Sequence, residues 1–470
     1  MFLIKWGRYP IFLLQIIPNK FYNDYVYDFK MYIFARGETM KTCRKAYIAI
    51  VVFLIVITMT SCSNDKQEQA SDTSQEIAST KDIHLMTSWG GVDSKADALK
   101  TLIDIFENDN PDYKIINESI FGDDYLPTLK TRISSGNDPD VFGLWPGSDI
   151  NNLIKAKKVI DMTEILNEDI QWKNSFKSRS FKYTTHEGRT YGIPFELVFE
   201  GMYINKDLFE KYNVTVPKNY QELKQAIIEF QQHNIIPIAY NSSAEGSYLY
   251  QNIIASIGGK EGVAQFLNNG KINNYYIEAM KYVKELYDMG AFPKDALTIS
   301  SSERNNLFFT KQAAMIVQGS WFASYFEKDD DSVEFIPFPP IKKDVNITSG
   351  LGCGTFYISS SRATNYEELS KALYFLKFLT SKQSATYFYD NTGLLTNLDI
   401  KFNNKYSLLC DQSFAVFNSF KEENITAIPD HIIDRTAWEG IIVQQFPYYL
   451  EGNLSPETIW DRAVNEMKVK

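Results

Sequence analysis

From Ile83 onward, short runs with the two-residue period of a strand alternate with longer runs of helical period. This alternation restricts the fold more than any other feature of the chain. Ile83 to Thr87 reads as a strand. A helix is predicted from about Ser94, with Ser94 as N-cap, Asp97 in the capping-box position and Leu99, Leu102, Ile103 and Phe106 on one face; Asn110-Pro111 ends it. Tyr113 to Ile116 is the next strand, and Leu126, Leu129 and Ile133 mark a helix stopped by Gly136. Asp140 to Leu144 is a short buried strand, and Ile150 to Ala156 begins a further helix. Later strands are predicted at Tyr191 to Phe195, Met202 to Asn205, Ala313 to Val317, Phe335 to Pro337 and Phe356 to Ser359. Helical spacing recurs at Tyr220, Leu223, Ile227 and Phe230, at Ile277, Met280, Val283 and Tyr287, and at Leu369, Leu373, Leu376 and Leu379. Ser455-Pro456-Glu457 opens a last helix with proline at its first position. Strands separated by helices of this length form βαβ units around a largely parallel sheet, so the expected class is α/β.

The part from Cys62 to Lys470 is large for one hydrophobic core and fits two lobes of ordinary domain size. The 470-residue chain has a formal net charge of −10 and no basic stripe, which argues against a nucleic-acid partner. It holds 29 Tyr and 32 Phe, enough to fill a core and leave some rings for a cleft. The four histidines, His84, His186, His233 and His431, are scattered. There is no HExxH, no Cys/His metal spacing, no Walker A loop and no GxSxG elbow, so neither a metal nor a cofactor is expected, and no enzyme. The paired carboxylates of a glycosidase stay open as an alternative, because acidic residues are plentiful and their separation in space cannot be read from sequence. Cys353 and Cys410 could pair, but the expectation is two free, mostly buried thiols.

Upstream, Lys41, Arg44 and Lys45 precede an apolar run from Ala46 to Thr58, followed by Met59-Thr60-Ser61-Cys62. This is the layout of an export signal, and the run falls short of the about 20 apolar residues a membrane span needs. Met59-Thr60-Ser61-Cys62 resembles a bacterial lipobox, with methionine where leucine is commoner. The resemblance implies cleavage before Cys62, a lipid on its sulfur, and a chain anchored to the outer face of the cytoplasmic membrane. Residues 40–61 are then the signal peptide, and the polar stretch 62–81 a disordered tether. Residues 1–39 fit this layout poorly; Met40 stands directly before Lys41, so translation is expected to start there and 1–39 to be an upstream extension.

The order of several stretches resembles a known family. Phe106-Glu107 with Asn110-Pro111, Gly136 to Phe142, Tyr191-Gly192-Ile193-Pro194, and Tyr203 to Phe209 are similar to its helix ends and strand entries. Lys311 to Met315 followed by Gly319-Ser320-Trp321, and Phe375 to Ser381, continue the likeness; Gly393 to Thr396 stands where the family often has a proline. The family is the extracellular solute-binding lipoproteins of bacterial ABC importers, in their carbohydrate-binding group related to maltose-binding protein. The resemblance implies a two-lobed α/β fold of the periplasmic-binding-protein type II, with a ligand cleft between lobes that close on a carbohydrate and deliver it to ABC permease subunits. The first lobe is expected to hold 82–194 plus about 354–424, the second 195–353 plus about 425–470. A monomer is expected. A sensory lipoprotein presenting ligand to a different membrane receptor is a further alternative.

A sugar offers apolar C–H faces and paired hydroxyls, so its cleft needs flat rings and fixed carboxylates or amides just after strand ends. Trp89, between the first strand and Gly90-Gly91, either lines the cleft or caps its lobe. Trp145 with Asp149 follows the next strand but one, and in the resembling family an aromatic and an acid here touch sugar; a packed turn at Trp145-Pro146 is the alternative. Glu196 stands at the first crossing between lobes, as ligand or as solvated carboxylate. Trp321 matches by position the family's stacking aromatic and is the foremost candidate. Gly352, within Gly350 to Gly354, is a hinge or ligand contact, or else part of a tight turn. Trp438 and Glu439 lie where the family can add another aromatic, although core packing suits Trp438 better.

Overall fold

The structure, a computed structural model, describes residues 81–342, 345, 349–361, 364–402 and 406–469, with three strands among residues 2–33. Cys62, the signal at 40–61 and the tether up to residue 80 lie outside the described residues. Two compact units are distinguished, Met1–Ile77 and Ala78–Lys470. In the first, β1 (Phe2–Ile4), β2 (Phe12–Pro18) and β3 (Tyr27–Ile33) form an antiparallel sheet in that order.

The second unit begins with β4 (Lys81–Met86), β5 (Tyr113–Asn117) and β6 (Val141–Leu144), which run parallel with β4 in the middle. A small hairpin, β7 (Thr185–His186) and β8 (Arg189–Thr190), precedes the long strand β9 (Ile193–Asn205). Then come β10 (Ile236–Ala239), a second hairpin of β11 (Leu267–Asn268) and β12 (Lys271–Ile272), β13 (Ala313–Gly319), β14 (Val333–Ile336), β15 (Ser349–Ile358) and β16 (Ile425–Ala427). The main sheet runs β10-β13-β9-β15-β6-β4-β5, with β14 also on β9 and β16 on β15.

The sheet is mixed rather than largely parallel. β9 is antiparallel to β13, β14 and β15, and β15 is antiparallel to β6. The reason lies in β9 itself. Its first half, Ile193 to Phe199, pairs with β15, and its second half, from Glu200, pairs with β13 and β14, so one strand passes between two halves of the sheet. The two strands expected at Tyr191 to Phe195 and Met202 to Asn205 are parts of this one element, buried along nearly its whole length.

Alternation along the strands distributes side chains to two layers. Val141, Phe356 and Ile358 join Leu99, Leu102, Phe106, Phe375 and Leu379 on one face, whereas Phe142 and Tyr357 join Tyr125, Leu129, Ile150 and Ile154 on the other. Beyond the crossing, Met202 and Ile204 point into a core with Leu223, Ile227, Ile254, Val283 and Trp460. Phe199 and Tyr203 point into another with Phe335, Phe322 and Phe417, and the helix Leu408–Ser419 packs there. Helices therefore cover both faces of each half, as an α/β class requires.

The first helix among the described residues is Ala96–Asp109, and its cap differs from expectation: Lys95 is the N-cap and no side chain caps the helix. Ser94 Oγ instead accepts a hydrogen bond from Ser324 Oγ (3.1 Å), so the hydroxyl is engaged elsewhere. Gly136 stops the next helix in the left-handed conformation, φ 78°. Cys353 and Cys410 are free and buried. Among the described residues no helix is long and apolar enough to cross a membrane.

Candidate functional site

Two small cavities share a wall, and Glu196 lines both. Trp89, Trp145, Gly354 and Thr355 line the first; Lys95, Ser320, Trp321 and Thr392 line the second. The positions follow from topology. Trp89 and Trp145 stand just past the carboxyl ends of β4 and β6, Ser320 and Trp321 just past β13, and Glu196 and Thr355 on the strands that run between the two halves.

Glu196 pairs with Gly354 across the β9–β15 ladder, next to a register shift between Gly354 and Thr355. A Cβ at Gly354 would lie 2.6 Å from Glu196 Oε2, so only glycine leaves room for the carboxylate. Burial pushes the Glu196 carboxyl above its ordinary range, and the neighbouring Asp93 adds to this against the pull of Lys95. Lys95 is nearly buried, 3.4 Å from Asp93 Oδ1 and 3.9 Å from Glu196 Oε1, with its ammonium 5.7 Å from the Trp89 ring centroid. Burial works against its charge, but Glu196 and Asp93 more than offset it and hold the pKa above the usual lysine value.

The three tryptophans at the cavities differ. Trp89 is 7% exposed and held by Phe356 and Phe388 edge to face at 5.5 and 5.2 Å, so it offers little beyond an edge. Trp145 is half-buried against Tyr125 (6.2 Å) and carries the Arg435 guanidinium 5.6 Å from its centroid. Trp321 is half-buried, its ring lying over Gly319, where a Cβ would be 2.0 Å away, and its edge meets Tyr248 at 5.7 Å. Below it, Gln318 and the buried Arg304 both donate to Glu245 Oε2, at 3.1 and 2.6 Å.

The other sequence-predicted residues lie apart from the cavity walls. Asp149 is 6% exposed and paired with Lys130 and Arg435; Glu439 is paired with Arg435 as well. Gly352 is packed, since a Cβ there would meet Val198, His431 and Ile428 within 2.8 Å. Trp438 is 1% exposed, stacked on Tyr250 at 5.6 Å, with its Nε1–H donated to Ser247 Oγ (3.3 Å). Asp93, Lys95 and Tyr248 were not singled out from sequence. Asp93 and Lys95 follow Trp89 in the same segment after β4, so the strand-end criterion reaches them once cations are admitted beside rings and acids. Among the described residues no three His, Cys, Asp or Glu side chains group as a metal site would require.

Half-buried rings beside a fixed ammonium and the Glu196 carboxylate, with hydroxyls of Ser320, Thr355 and Thr392 in the same walls, have the chemistry to hold a polyol: rings suit C–H faces and charged groups suit vicinal hydroxyls.

Comparison with known proteins agrees with this architecture. A sequence profile described as bacterial extracellular solute-binding protein matches residues 92–386. The chain is 25% identical over 367 residues to the multiple sugar-binding protein of Streptococcus mutans, covering 75% of this chain and 82% of that protein. It is 21% identical over 364 residues to the maltodextrin-binding protein of Bacillus subtilis, covering 75% and 81%. A structure from work on xylan utilization by Caldanaerobius polysaccharolyticus has a TM-score of 0.73 at 24% identity, over 82% of this chain and 99% of that one. A chitin oligosaccharide binding protein has a TM-score of 0.72 at 19% identity, over 82% and 98%. These likenesses establish the two-lobed type II fold, and the profile spans more than half of the sequence: the chain belongs to the family of bacterial extracellular solute-binding proteins.

Proposed function

We propose that this protein captures a sugar or oligosaccharide in the cleft between its lobes and delivers it to the permease of an ABC importer. The observation that carries the reading is the sharing of Glu196 by two adjacent cavities, each with a half-buried tryptophan, Trp145 or Trp321, in its wall. The names of the relatives, a multiple sugar-binding protein and a maltodextrin-binding protein, point the same way. In this reading Trp145 and Trp321 stack on sugar rings, Trp89 presents an edge, and Glu196 with Lys95 and Asp93 bonds hydroxyls. Asp149 and Glu439 act through Arg435. Ligand contacts both lobes and favours the closed form by its differential affinity. One lobe takes in 82–194 and about 354–424, the other 195–353 and about 425–470, except that the helix Leu408–Ser419 packs with Phe199, Tyr203 and Phe335 and so goes with the second. The export signal and Cys62 give the proposed location, a lipid anchor on the outer face of the cytoplasmic membrane, with the protein acting as a monomer.

The test is a thermal-shift screen of the protein against malto-, xylo- and chito-oligosaccharides and their monosaccharides, with Trp321→Ala beside it. A ligand at 100 times its Kd stabilises the native state by about 2.7 kcal/mol, enough to read as a shift. A shift with one saccharide class that Trp321→Ala reduces supports the reading. No shift with any saccharide contradicts it, and consumption of the sugar would favour a glycosidase.

A further inference from the structure

One contact between the two halves involves no cavity-lining carboxylate. Gly147, Ser148 and Asp149 follow Trp145 and open the helix Ser148–Lys155, whose Ile150 and Ile154 are buried with Tyr125 and Leu129. Arg435 belongs to the segment whose Ile433, Ala437 and Trp438 are buried in the opposite half with Tyr250 and Trp460. The Arg435 backbone N–H donates to Ser148 Oγ (2.8 Å), and its guanidinium donates to Asp149 from one side and to Glu439 from its own. The same guanidinium covers the Trp145 ring. Beside it the backbones approach so closely that a Cβ at Gly147, where φ is 116°, would lie 2.1 Å from the carbonyl oxygen of His431.

These observations describe a joint between the two halves. Separation would leave Asp149 with Lys130 alone and Arg435 with Glu439 alone, and would uncover one face of Trp145. A planar fork that serves two carboxylates and a ring at once has no equivalent in lysine. We propose that Arg435 is a positioning residue that clamps the closed form across the cleft, setting the orientation of Trp145 and the time a bound solute is held. The inference rests on the reading above that the lobes open and close, but not on the identity of the ligand.

The test is small-angle scattering of the full chain without any sugar, at low salt. Wild type, Arg435→Gln, Arg435→Lys and Gly147→Ala are compared. The expected result is an Arg435→Gln with a larger radius than wild type, and an Arg435→Lys between them. Gly147→Ala, with every charge in place, is expected to be larger than wild type as well because its methyl group wedges the joint. Equal radii for wild type, Arg435→Gln and Gly147→Ala at low salt would overturn the proposal. So would a change confined to the melting temperature, which a merely structural ion pair would give. Failure of every saccharide to bind would remove the proposed ligand but not this result, since no sugar enters the measurement.

Discussion

Glu196 joins two cavities and has Lys95 as its cation at 3.9 Å, a distance that Asp93 shares in part at 3.4 Å. Removing a partner from a buried pair usually costs 3–5 kcal/mol; with distances this long, Lys95→Met is expected to cost about 3 kcal/mol in denaturant unfolding and to weaken saccharide binding. Unchanged stability would mean the lysine is not held by these acids. Burial pushes the Cys353 thiol up to about 12 and the Cys410 thiol up to about 11, so neither is a thiolate at neutral pH. Alkylation should therefore reach their peptides only after unfolding; rapid labelling of either in the native protein would contradict the burial. Burial also holds His431 below its ordinary value, with Arg435 acting the same way against Asp430. Between that lowered value and about 6.5 the unfolded chain binds a proton that the native one does not, so this contribution to stability is complete above about 6.5 and lost as pH falls. His431→Gln should flatten the fall in melting temperature from about pH 7 to about 5; an unchanged slope would assign the fall to other groups. At this scale strand ends brought Trp89, Trp145 and Trp321 to the cavities from sequence, and the crossing between lobes brought Glu196. Asp149 stood in the right segment, but its partner Arg435 is 286 residues away, a pairing that no local pattern carries.

The element least legible in the sequence is the helix Ser247–Ala264. Its buried residues include Leu249, Tyr250, Ile253, Ile254 and Ile257 but also Gln251, Asn252 and Ser256, so no polar face marks a helical period. Gly259 at φ 59° interrupts it further. The helices Tyr220–Gln232, Asn274–Asp288 and Tyr366–Leu379, each with a solvent face, were legible for the opposite reason. β15 explains itself only beside β9: Gly352 and Gly354 face Val198 and Glu196 across the ladder, and each omits a side chain where the partner's needs space. Gly354→Ala is expected to cost about 1–3 kcal/mol by overpacking and to displace the Glu196 carboxylate, so saccharide affinity falls with stability. An alanine variant that keeps both would show that Glu196 has other room.

For the whole molecule, alternation of strands and helices gave the α/β class, length pointed to two lobes, and the family resemblance implied how they are arranged. What the period could not give was strand direction. β9 runs antiparallel to its sheet neighbours, and β15 to β6 and β9, because the chain passes from one half to the other and back, and a two-residue period is the same in either direction. That passage places Glu196 and Thr355 between Trp89 and Trp145 on one side and Trp321 on the other, so binding and closure are expected to be coupled. The most direct measurement is calorimetric titration of the protein with the saccharide class selected by thermal shift, at several temperatures, with recovery of the sugar afterwards. The account expects saturable binding of one ligand per chain, a negative heat-capacity change from burial of apolar surface in the closing cleft, and intact sugar. Absence of saturable binding by any malto-, xylo- or chito-oligosaccharide, or recovery of cleaved sugar, would contradict it.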